Sequence, residues 1–125
     1  MPYRPQKLTS SDIHPAHPVG VFLRYYRAAA DERGYLLRDN FDPSRVPGTL
    51  NWLAVFECVF DGADEKFLCT LCGAGASDLF GYDYTGNLLG EMMPRQAAEW
   101  RLKEFREVMG DARPRFTRAS LPDAE

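Results

Sequence analysis

Two apolar runs joined by a short turn constrain this chain more than any other feature in it. Residues 52–60 read WLAVFECVF and residues 66–72 read KFLCTLC, with Asp61-Gly62 opening the turn between them. Valines and aromatics at that density, bounded by Asp-Gly, predict a β-hairpin. Alternation puts Leu53, Val55, Glu57 and Val59 on one face of the first strand and Ala54, Phe56, Cys58 and Phe60 on the other. A carboxylate prefers water, so the Phe56 face is expected to point inward. On the second strand, Phe67, Cys69 and Leu71 share one face, and Leu68, Thr70 and Cys72 share the other.

Residues 18–33 predict a helix. Val19, Phe22, Tyr26 and Ala29 recur at three- and four-residue steps, with Pro18 suited to the first helical position and Gly34 to the stop. Residues 95–109 predict a second long helix, with Ala98, Leu102, Phe105 and Met109 as its buried stripe and Trp100 on the opposite side. Gly110 and Pro114 are expected to close it. The glycine-rich stretch 73–94 suits short helical turns and loops. RFTRASL, residues 115–121, alternates weakly and predicts a third strand. Residues 1–17, with Pro2, Pro5 and Pro15, read as a loose arm, residues 18–122 as the domain and residues 123–125 as a tail. Helix, hairpin, irregular segment, helix and strand, in that order, make an α+β pattern.

At 125 residues one domain is expected, and 45% hydrophobic with 13% aromatic residues is globular composition. A net charge of -3 argues against non-specific nucleic-acid binding. Residues 51–94 hold Lys66 as their one basic side chain against seven acidic ones, which reads as a solvated acidic hairpin face. No run approaches the ~20 apolar residues of a membrane span. The start, MPYRPQKLTSSD, lacks the apolar stretch of a signal peptide. Three cysteines, an odd count, suit a reducing compartment, so a cytoplasmic location is expected.

Three local motifs narrow the pattern: Asn40-Phe41-Asp42-Pro43 followed by Pro47, then Phe67-Leu68-Cys69-Thr70-Leu71-Cys72-Gly73-Ala74, then Gly81-Tyr82-Asp83-Tyr84-Thr85-Gly86. Their order and spacing resemble the small bacterial single-domain PAS family. That family shows Asp-Phe-Asp-Pro with a proline four residues on, a Phe-x-Tyr-Arg-Leu-x-Gly-Thr strand, and Gly-x-Asp-x-Thr-Gly. The late helix ending FREVMGDARP is also similar, and the resemblance runs from Pro18 to Leu121. Cys69 and Thr70 depart from it, standing where the family often has Tyr and Arg. A PAS sheet has five antiparallel strands, whereas this chain ends after the third, so the pair that closes one side of the pocket is missing. The resemblance implies a PAS-like antiparallel sheet with flanking helices, short of its last strands. It also implies a sensory or protein-interaction role in bacterial signalling, without catalysis.

A ligand pocket for a small apolar molecule, on this reading, lies between the inner face of the hairpin and helix 95–109. Its expected lining is Phe56, Cys58, Phe67, Cys69, Leu71, Leu79, Phe80, Leu102 and Phe105. Val19, Phe22, Tyr26 and Trp100 are expected at an interface, and small sheets with open edges predict a homodimer, or else a fragment of a longer PAS domain whose last two strands were lost. An unidentified regulatory protein is the other expected partner, because the chain carries no effector domain. Two further readings stand beside this one: a small cone-shaped α+β enzyme acting on an apolar substrate, and a ligand-free dimerisation adaptor.

Residues that could carry chemistry have plainer roles. Cys69 and Cys72 form a lone C-x-x-C, and on a regular strand three-residue spacing sends the thiols to opposite faces, so no metal site is expected. Gly73-Ala74-Gly75 is expected to lack the third glycine, the following helix and the acidic residue of a dinucleotide loop, and reads as tight backbone with glycine permitting positive φ. Asp78, Asp83 and Glu91 have no paired histidine or second buried carboxylate, and Asp83 suits a turn cap. Arg113, Arg115 and Arg118 read as a solvated strand edge. The reactive-cysteine motif of flavin-binding PAS domains is absent, and helix 95–109 has no histidine for haem, so no cofactor is expected.

Overall fold

A computed structural model gives the fold and describes residues 5–81, 83–91 and 93–119. Helices combine with two separate antiparallel two-stranded sheets, a small α+β fold. In chain order the elements are β1 (Gln6–Leu8), α1 (Pro18–Ala29), α2 (Pro47–Leu50), β2 (Ala54–Asp61), β3 (Asp64–Cys72), α3 (Ala74–Phe80), α4 (Arg95–Asp111) and β4 (Phe116–Arg118).

Helix α1 starts where proline allows it. Pro18 sits in the first turn, and His17 Nδ1 accepts the Val19 N–H at 3.1 Å. The helix stops at Ala29, earlier than residue 33, because Asp31 organises a turn of its own. Its carboxylate accepts the N–H groups of Arg33 (2.9 Å) and Tyr35 (3.1 Å). Gly34 turns the chain there at φ 88°, and the Tyr26 hydroxyl donates to its carbonyl at 2.6 Å. The Phe41-Asp42-Pro43 segment then ties α1 to α2. Phe41 packs against Phe22 and Tyr25, and the Tyr25 hydroxyl accepts the Asp42 N–H at 2.6 Å. Asp42 caps the next turn by accepting the Ser44 N–H at 3.1 Å, delivering Val46 and Thr49 to buried positions.

The hairpin forms as its sequence predicts, and Gly62 alone of its two loop residues takes positive φ, 64°. That is the φ pattern of a type II′ turn, which matches strand twist. The register runs from Asp61↔Asp64 to Phe56↔Cys69 and then slips, with Val55 opposite Leu71. Thr70 is the extra residue of a β-bulge. Beyond it, Leu71 joins the Val55 face and Cys72 falls opposite Ala54, on the Phe56 face. The outer edge of β3 is covered by residues 86–89. Cys69 N–H donates to the Asn87 carbonyl at 2.9 Å, and the N–H groups of Gly86 and Leu89 donate to the carbonyls of Cys69 and Phe67, both at 2.8 Å.

Gly73 is required for closeness, not for positive φ. Its φ is -63°, and a Cβ there would overlap the carbonyl oxygens of Leu50 and Asn51. Asn51 receives the start of α3, its carbonyl accepting the N–H groups of Gly75 (2.9 Å) and Ala76 (3.1 Å). Helix α4 runs through Gly110 and ends on Ala112 at φ 57°.

Of residues 115–121, those described do not return to the hairpin. Their described part, β4, pairs with β1 in the register Gln6↔Arg118 to Leu8↔Phe116. The expected loose arm is therefore structured over Gln6–Leu8, and positions 120 and 121 of the expected strand lie outside the described residues.

Candidate functional site

Around Phe105 the space between the hairpin and α4 is filled. The Phe105 ring stands edge-on to Phe56 at 5.1 Å and to Phe67 at 5.2 Å between centroids, with interplanar angles of 77° and 79°. Edge-to-face packing at that distance leaves no room for a ligand between the rings. Cys69, 1% exposed, lies under the same layer and donates its thiol hydrogen to the Leu71 carbonyl at 3.3 Å. Burial pushes the Cys69 thiol above its ordinary pKa and does the same for half-buried Cys58. Of the expected pocket residues, Phe67 and Cys69 are thus buried, Phe56 and Phe105 pack half-buried against this layer, and Cys58 is half-buried on the same strand face.

The remaining four lie elsewhere. Leu71 is turned outward by the bulge, and Leu79 and Phe80 are exposed on α3, where Phe80 meets Tyr84 edge-on at 5.5 Å. Leu102 faces an open, more polar groove of about 570 Å³ between α4 and the start of β3, with Asp64, Glu65 and Lys66 on the hairpin side and Leu88 and Leu89 beside them. Phe60, expected inward, is 70% exposed at the hairpin tip, and Met109, expected in the buried stripe, is 56% exposed. An alternation rule cannot tell how far a strand or helix outruns its cover.

A more apolar concavity lies at the other end of α4. A groove of about 530 Å³ runs between α1 and the close of α4, walled by Val19, Phe22, Leu23 and Tyr26 on one side and Val108 and Met109 on the other, with Phe116 at its end. Three of the four expected interface residues, Val19, Phe22 and Tyr26, are therefore brought together. The fourth, Trp100, is separated from them. It is half-buried in a smaller groove of about 360 Å³ under the β1–β4 ribbon, with Lys103 5.4 Å from its ring centre. Leu23 belongs to the same apolar stripe of α1, and sequence reading missed Val108 as its partner. Val108 follows Phe105 by three residues, on the same side of α4, and that spacing was the available signal.

The groove rim is cationic but committed. Arg115 pairs with Asp111 and, at 3.5 Å, with Glu107, which raises the Arg115 pKa and lowers that of Asp111. The other carboxylates whose pKa is perturbed are lowered by local hydrogen bonds: Asp31 by Arg33, Asp42 by Ser44 and Asp83 by Thr85. Asp83 accepts both the hydroxyl (2.6 Å) and the N–H (2.8 Å) of Thr85, a turn cap. These groups hold charge and geometry; none is tuned upward toward proton transfer at neutral pH. His14 and His17 accept nearby backbone N–H groups through Nδ1.

The bulge brings Cys69 and Cys72 to the same face, contrary to the opposed thiols expected of a regular strand. Cys72 Sγ accepts from the Ser77 hydroxyl at 3.4 Å. Among the described residues no group of three or more His, Cys, Asp or Glu side chains could hold a metal ion, and no helix is long and apolar enough to cross a membrane. Comparison with family models, curated proteins and solved structures found no match for the chain.

Proposed function

We propose that this chain is a PAS-like sensory or protein-interaction module of bacterial regulation that takes a small apolar ligand in the groove between α1 and the end of α4. The observation that carries this reading is the groove itself. Its volume, about 530 Å³, lies within the range of small-molecule sites, and its walls are predominantly apolar. The motif order around Asp42, Phe67 and Asp83 supports the family assignment. The carboxylates engaged in caps support a binding role over a catalytic one. On this reading the protein works in the cytoplasm, in keeping with its three free thiols, and passes its signal by contact with a regulatory protein. Native mass spectrometry of the chain purified from its own host tests the proposal. The expected spectrum carries a small apolar adduct that disappears in Val19→Asp. A spectrum without any adduct, or an adduct that persists in Val19→Asp, contradicts it.

A further inference from the structure

The free edge of β2 points to a second site of action, independent of the groove. Phe67 and Cys69 direct backbone groups to residues 86–89, on the side of β3 away from β2. Their cross-strand partners, Cys58 and Phe56, are therefore in non-hydrogen-bonded pairs and aim their own N–H and C=O groups away from β3. Phe60 does the same by alternation. Among the described residues no backbone hydrogen bond reaches those groups, and β2 has no strand partner other than β3. An eight-residue open edge of this kind is a template for another strand.

We infer that β2 pairs antiparallel with β2 of a second copy, joining two hairpins into one four-stranded sheet across a two-fold axis at Cys58. The sequence of the strand favours a second copy over a foreign strand, because β2 is self-complementary about Cys58. Centred on Cys58, the free-edge residues meet each other, Phe56 opposite Phe60 of the second copy, with about six hydrogen bonds exchanged. Glu57 then faces Val59. Shifting the centre to Glu57 opposes two glutamates, shifting it to Val59 opposes Glu57 and Asp61, and shifting it to Phe56 or Phe60 runs the pairing off the end of the strand, so charge and length together select the Cys58 register.

The test measures the oligomeric state of the full chain by light scattering across the micromolar range. The expected species is a dimer. Val59→Asp sets a like charge against Glu57 of the partner copy twice and should weaken the dimer roughly tenfold, and adding Glu57→Lys should restore it. Val59 faces Lys66 within its own hairpin, so the substitution is compatible with folding, which circular dichroism checks. Phe60→Pro is the second variant. It removes an N–H that points away from β3, and should give a folded monomer. Copper–phenanthroline oxidation should capture the dimer through Cys58, because opposed residues of a hydrogen-bonded pair lie about 5.5 Å apart at Cα, within disulfide reach. A monomer throughout overturns the inference. So does a dimer indifferent to both variants, a covalent dimer lacking Cys58, or a monomer that pairs only with another protein's strand. Each of these outcomes is separate from the presence or absence of a groove adduct.

Discussion

At the scale of single residues, Phe105 shows how local chemistry settles what the fold encloses. Its ring makes edge contacts with both Phe56 and Phe67, one from each strand of the hairpin. Phe105→Ala should therefore lower stability by roughly 3–5 kcal/mol, the cost of a large aromatic lost from a packed layer. Chemical denaturation measures this directly, and an unchanged midpoint would show that the ring is not core. The inward placement of Phe56, Cys58, Phe67 and Cys69 was legible because alternation along each strand placed the Phe56 face inward. Leu71 was not legible. A single inserted residue, Thr70, reverses every side chain after it, and no residue type marks a bulge reliably. The role of Gly73 was half legible: glycine was needed, but for the approach of the Leu50 and Asn51 carbonyls.

Elements tell a similar story, with ends less readable than middles. Both long helices and the hairpin were visible because each repeats a period over several turns or pairs. Strand β1 was invisible, since three residues, Gln6–Leu8, carry no period and pair only with distant Phe116–Arg118. The boundaries are written by side chains that bond to backbone, and four of them are aspartates: Asp31, Asp42, Asp83 and Asp111. All four have pKa values lowered in the folded chain, chiefly by hydrogen bonds from Arg33, Ser44, Thr85 and Arg115. A carboxylate whose folded pKa is depressed stabilises the fold fully above its unfolded value, about 3.9, and loses that stabilisation as pH falls through the folded value. Melting temperature should therefore be flat between about pH 5 and about pH 8 and fall below about pH 4. Asp42→Ala should lower the plateau and shrink the acid drop, as thermal melts across pH would reveal. An unchanged acid drop would remove the cap from the account.

For the whole molecule, the α+β class followed from the order of elements, but the place of the apolar groove did not. The groove joins α1 to the end of α4, elements some eighty residues apart, and no pattern confined to one segment records such a meeting. The hairpin and α4 close on themselves through Phe105, and the open apolar surface moves to Val19, Phe22, Val108 and Met109. A methyl-resolved NMR titration of the full chain with cyclohexanol locates that surface. Saturable shifts are expected at the methyls of Val19, Leu23, Val108 and Met109, with Ala76 and Ala97 unmoved. Saturable shifts centred on Ala97 and Leu102, or none at the groove methyls, would contradict that placement.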